Sequence, residues 1–93
     1  NVKFLADVEV PWMYLIETTY DAGVIVKKLA QKGIDCRRFF YPLHRQPCFK
    51  GIYEHLNFPQ SDYTWEHWFY LPSGLTLKEK QIKYICKMLK EII

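Results

Sequence analysis

The run Arg37-Arg38-Phe39-Phe40-Tyr41-Pro42-Leu43-His44-Arg45-Gln46-Pro47 constrains this chain more than any other stretch. Its two prolines bias Tyr41 and Gln46 towards extended backbone, so the segment must bend and no helix can pass through it. The same eleven residues hold three aromatics, three arginines and a histidine. A run built only to fill a core would not carry so many cationic groups. A run built only for solvation would not carry Phe39, Phe40 and Tyr41 in succession. Polar tips on a stiff aromatic base are the usual setting for binding groups on a loop.

The elements around this loop follow from local patterns. Residues 8–19 are aliphatic, aromatic and β-branched and read as a strand entered at Pro11. Asp21 offers an N-cap carboxylate to a helix carrying Ile25, Val26, Leu29 and Ala30 at helical spacing. Gly33 lies just past that pattern, where helices commonly end in a left-handed turn. Residues 34–40 read as a second strand feeding the loop, and residues 49–56 as a short helical turn. Residues 57–62 read as loop, with Ser61 or Asp62 capping a brief helix through Glu66. Trp68-Phe69-Tyr70-Leu71 reads as a third strand, stopped by Pro72-Ser73-Gly74. Thr76 and Glu79 form a capping-box pair. Behind them Ile82, Ile85, Cys86, Leu89, Ile92 and Ile93 make an apolar stripe at helical period. This order predicts an α+β fold: a small, mostly antiparallel sheet with helices packed on one face.

With 93 residues, no repeats and no low-complexity linker, the chain reads as one domain over 1–93. A hydrophobic share of 49% and an aromatic share of 17% exclude a disordered tail. A net charge of +3, spread along the chain, is too weak to imply nucleic acid by itself. Cys36, Cys48 and Cys86 are odd in number and far apart, which points to a reduced, cytoplasmic setting rather than a disulfide framework. No apolar run approaches the roughly 18 residues of a membrane span, and no signal peptide is visible. The chain opens on Asn1 rather than methionine, so the expectation is a piece of something longer.

The residues alone suggest three chemistries. Zinc would draw on His44, Cys48, His55 and His67, but only His44 and Cys48 have ligand spacing, and Pro47 lies between them. Cys–His catalysis finds no orienting carboxylate or amide, and buried inert thiols are the commoner state. A free-standing nucleic-acid or protein-binding module remains as an alternative. In it Arg37, Arg38 and Arg45 meet a partner beside Phe39, Phe40 and Tyr41. Against it, the lysines fall mostly on the polar faces of helices. Trp12, Trp65 and Trp68 read most simply as core or interface.

Residues 33–47, as Gly33-Ile34-Asp35-Cys36 followed by the loop, resemble the strand-and-loop signature of DegT/StrS-type sugar aminotransferases, perosamine synthases among them. Pro11-Trp12-Met13-Tyr14 resembles their first strand and Phe58-Pro59-Gln60-Ser61-Asp62 their mid-domain loop. Leu71-Pro72-Ser73-Gly74-Leu75-Thr76 and the helix after it resemble the closing segment. These four ordered blocks cover most of the chain and belong to the C-terminal small domain of that family. Arg38 departs from the pattern, standing where proline is common, and Cys36 stands where threonine often does. Tyr63, Trp65, His67 and Trp68 make their segment more aromatic than usual.

The resemblance implies the C-terminal domain of a fold-type I enzyme that uses pyridoxal phosphate to move an amino group, usually from glutamate, to a nucleotide-linked keto-sugar. It implies a homodimer and a large domain that carries the Schiff-base lysine. No catalytic lysine is therefore expected in this chain, and no cofactor on this chain alone. Within it the substrate-binding expectations are Arg37, as a bidentate guanidinium, with Tyr41 and His44 as hydrogen-bonding groups. Arg45 is a further candidate for a diphosphate.

Overall fold

The computed structural model describes residues 2–4 and 12–93. The elements run β1 (Val2–Phe4), β2 (Tyr14–Thr18), α1 (Ala22–Gln31), β3 (Arg37–Arg38), α2 (Pro59–His67), β4 (Trp68–Leu71) and α3 (Glu79–Ile92). The strands form one antiparallel sheet in the order β1-β2-β4-β3. The fold is the expected α+β layer.

Strand alternation decides which face is covered. Ile16 and Thr18 of β2 and Phe69 and Leu71 of β4 are buried. Ile16, Phe69 and Leu71 pack with Ala22, Ile25 and Leu29 of α1 and with Ile85, Met88 and Leu89 of α3 in one cluster. Their alternates Leu15, Glu17, Trp68 and Tyr70 are only half-buried, on the face opposite the helices. Burying Phe69 and Ile16 fully contributes about 1.5–3 kcal/mol each.

The first helix forms as its sequence dictates. Asp21 Oδ1 accepts the Val24 backbone N–H at 3.1 Å, satisfying one free donor of the first turn. Gly33 takes φ +80° at the far end, a backbone state that costs glycine least. The Ile34 amide bonds back to Leu29 O at 3.0 Å, closing the helix.

That closure explains the first correction. The strand expected over 34–40 is only Arg37–Arg38, because Ile34 is tied to the end of α1. The strand expected over 8–19 is observed from Tyr14 to Thr18, and its expected start at Pro11 lies outside the described residues. The helical turn expected over 49–56 is displaced: short 3-10 turns occupy Leu43–Arg45 and Pro47–Phe49. Gly51, at φ +82°, then turns the backbone away.

Helix α2 starts at Pro59 rather than at a Ser61 or Asp62 cap. Proline at the first helical position has the right φ and gives up a donor that would be unpaired anyway. The start of α3 also moves, and only half of a capping box forms there. Lys78 is the N-cap of α3, and Gln81 Oε1 accepts its backbone N–H at 2.8 Å, so Thr76 and Glu79 are not the pair. On α3 the buried stripe is Ile85, Met88 and Leu89; Cys86 is exposed and Ile82 is about half-exposed.

Candidate functional site

β3 is short, and its two arginines alternate across the sheet. Arg37 pairs in register with Tyr70 and is exposed, on the side away from the helices. No described residue bonds to its guanidinium. Arg38 pairs with Phe69 and turns towards the helices, where its guanidinium lies 3.8 Å from the centre of the Trp65 ring. Its Nη2 donates to the Trp65 carbonyl at 2.8 Å. Arg38 Nε is buried without a hydrogen-bond partner, a loss of about 1–3 kcal/mol that the stack must offset.

The loop leaves β3 along an aromatic path. Phe39 meets Trp68 edge-on at 5.2 Å and Phe40 at the same separation. Tyr41 stands perpendicular to Trp65, ring centres 5.0 Å apart. Pro42 is buried, and the turn after it delivers His44 and Arg45 to one carboxylate. His44 Nε2 lies 3.2 Å and Arg45 Nη2 2.9 Å from Asp62 Oδ1, in the first turn of α2. The His44 ring also rests against Phe58 at 4.6 Å.

These side chains border a cleft of about 610 Å³ lined by His44, Arg45, Pro47, Lys50, Tyr53 and Glu54 among others. The structure thus gathers His44 and Arg45 at one cleft and sets Tyr41 on the neighbouring Trp65. It does not gather Arg37 with them: Arg37 belongs to the open sheet face with Leu15 and Tyr70.

A carboxylate on the open face organises a second cluster. Glu17 accepts from Trp68 Nε1 at 3.1 Å and from the Tyr63 hydroxyl. Desolvation, then the charge and hydrogen bond of Glu17, raise the Tyr63 pKa above its ordinary value. Among the described residues, no three of His, Cys, Asp and Glu gather as metal ligands. His67 instead places Nδ1 3.1 Å from Tyr20 O and packs on Tyr63. The cations of the loop that favoured a nucleic-acid module are partly engaged internally, since Asp62 neutralises Arg45 and Trp65 holds Arg38.

The cysteines differ in availability. Cys36 is buried, and burial, reinforced by Asp35, pushes its thiol up from 9.0 to about 12. Cys48 and Cys86 are exposed. A pyridoxal-phosphate site needs a lysine held inside a pocket against a facing carboxylate and phosphate donors. Every lysine of this chain is exposed, Lys50 at the cleft included, so the residues present do not make such a site.

Sequence reasoning missed Arg38, Trp65 and Asp62 as organisers. Arg38 and Trp65 are 27 residues apart, and no periodicity links them. Asp62 stood out only as a candidate helix cap, within a block resembling the family's mid-domain loop.

A model of the DegT/DnrJ/EryC1/StrS aminotransferase family matches residues 6–90. Among solved structures, "Putative sugar aminotransferase Spr1654 from Streptococcus pneumoniae, PMP-form" superposes with a TM-score of 0.87 at 21% identity. That match covers 98% of this chain and 25% of the other. The apo form of the same protein gives 0.78 at 21% identity, over 86% of this chain and 21% of that one. The aminotransferase TlmJ from Streptoalloteichus hindustanus gives 0.81 at 12% identity, over 98% and 26% respectively. The chain thus spans about a quarter of the length of these structures, and the likeness extends to the fold. No curated protein matches it.

Proposed function

The chain belongs to the DegT/DnrJ/EryC1/StrS aminotransferase family, and from that premise we propose that it is the C-terminal small domain of a pyridoxal-phosphate-dependent nucleotide-sugar aminotransferase. The observation that carries the reading is the family match over nearly the whole chain, together with a fold found in sugar-aminotransferase structures four times its length. In this reading a large domain of the same polypeptide holds the cofactor, and the enzyme works as a cytoplasmic homodimer on a keto-sugar and glutamate. This domain closes over the bound substrate.

The chain's own residues support that division of labour. The open sheet face offers Leu15, Trp68 and Tyr70 as apolar area for the large domain to cover. Arg37, exposed on that face with no described partner, can pair bidentately with a carboxylate or phosphate. Tyr41 and His44 offer hydrogen bonds from a loop that projects beside the cleft. None of the three is needed to fill the core.

The test uses the longer polypeptide that carries this chain, with glutamate and a nucleotide-linked keto-sugar. Borohydride reduction should label one lysine outside residues 1–93, and Arg37→Lys should lower kcat/KM by roughly tenfold or more with melting unchanged. A single labelled lysine inside 1–93 would overturn the domain assignment. Normal turnover by folded Arg37→Lys and His44→Ala would overturn the site assignment and leave the family standing.

A further inference from the structure

We infer that Arg38 is a positioning residue: stacked on Trp65, it fixes the ring against which Tyr41 rests, and so sets the course of the loop that ends at His44. The inference deepens the function proposed above, since it takes Tyr41 as a substrate contact.

Three independent features fix the guanidinium. Backbone pairing sets Arg38, on the edge strand β3, opposite Phe69 of the interior strand β4. The plane then lies over Trp65 at 3.8 Å while Nη2 donates to the Trp65 carbonyl at 2.8 Å, so ring and backbone of α2 are held by one side chain. Helix α1 leaves the space: at Gly23, any Cβ would stand 2.9 Å from Arg38 Nη1, closer than real contacts allow. The receiving surface is rigid too, because α2 runs into β4 with no residue between His67 and Trp68.

Tyr41 lies three residues beyond Arg38 and meets the same indole edge-to-face. Trp65 is therefore a shared support, gripped by Arg38 and used by Tyr41. After Tyr41 the path is set by buried Pro42 and by the turn in which Arg45 N–H bonds Pro42 O at 3.0 Å and Gln46 N–H bonds Leu43 O at 3.1 Å. Arg38 itself has little to offer a ligand, with one face on the indole, Nη2 engaged and Nε buried. Its action on substrate passes through its neighbours.

The experiment measures amide hydrogen exchange in the 93-residue chain, reading the Arg45 and Gln46 amides against those of α3. Arg38→Met should speed exchange at Arg45 and Gln46 by roughly tenfold and leave α3 unchanged. Trp65→Leu should do the same, and the double variant should be no faster than either single one, because both remove one support. Arg38→Lys keeps the charge without the planar stack and should fall between parent and Arg38→Met. It decides the matter if either larger change prevents folding. The Tyr41 ring resonances should lose the shift imposed by the indole in Arg38→Met. Unchanged loop amides in the folded Arg38 variants, or accelerations that multiply in the double variant, overturn the inference. In the longer enzyme, Arg38→Met should raise KM for the sugar substrate severalfold with kcat within about twofold. Responsive loop amides with KM unmoved in both Arg38→Met and Tyr41→Ala would overturn the role in the reaction and the assignment of Tyr41 together.

Discussion

The block of β2, β4, α1 and α3 and the connection over residues 39–58 obtain their shapes by different means. In the block, Ile16, Leu29 and Phe69 are fully buried, and burial of apolar area decides where each element lies. In the connection every residue from 50 to 58 is exposed, and Leu43 is 68% exposed. Shape there comes from proline, from a glycine at positive φ, from aromatic edges and from one carboxylate shared by His44 and Arg45. The difference teaches that stability and two of the groups proposed to meet substrate, Tyr41 and His44, sit in separable parts. Substitutions can address one without the other.

The strongest challenge to that division compares truncations. Phe69→Ala should cost about 3–5 kcal/mol in chemical unfolding, whereas Leu43→Ala should stay within about 0.5 kcal/mol of the parent. Comparable losses at the two positions would mean that the connection is part of the core.

Alkaline titration sharpens the comparison through the buried thiol. Unfolded, Cys36 loses its proton near its ordinary value; folded, it holds the proton to about pH 12. Its contribution is therefore complete below about pH 9 and is lost as pH rises towards 12, with a slope of about 1.4 kcal/mol per pH unit. Cys36→Ala should lower stability at neutral pH but flatten the decline above pH 9. Exposed Cys48 and Cys86 should react with a thiol reagent at neutral pH while Cys36 does not. Parallel alkaline declines in parent and variant would show that the Cys36 site admits solvent.

Two smaller effects separate the regions further. Asp21→Ala removes the cap of α1 and should cost about 0.5–2 kcal/mol, since the Val24 donor loses its partner. Asp62→Asn should lower global stability by less than about 1 kcal/mol, because the Asp62 side chain is one-third exposed. It should nevertheless speed exchange at Arg45 and Gln46, visible as a local loosening without a matching change in melting. A large drop in melting on Asp62→Asn would tie the connection to the fold.

What could be read from sequence follows the same boundary. The Asp21 cap, the Gly33 stop and the strand Trp68–Leu71 rest on codes a few residues long, and the structure contains all three. The helix start expected at Thr76 and Glu79 lies at Lys78, whose side chain has no acceptor, so only the Gln81 half of a capping box is made. The shortness of β3 was hidden because the Ile34 amide is used by the helix before it. Within the loop, the aromatic and cationic residue types announced a site. Whether each cation faces solvent or a neighbour depended on Trp65 and Asp62, which lie 27 and 17 residues along the chain from Arg38 and Arg45.

The strand order leaves β3 at one margin of the sheet, with the outer row of its amides and carbonyls facing no other described strand. Such a margin invites pairing with a second chain, and the residues that follow, Phe39 and Phe40, would extend an adhesive ribbon. Two features make it a poor template: the strand stops after two residues, and both of those residues are arginines. A second chain pairing in register would bring like charges side by side. Arg37 thereby acts as a guard against self-association as well as a proposed ligand for substrate, so neutralising it should lower the concentration at which the protein aggregates. Replacement by lysine keeps the guard while removing the planar fork.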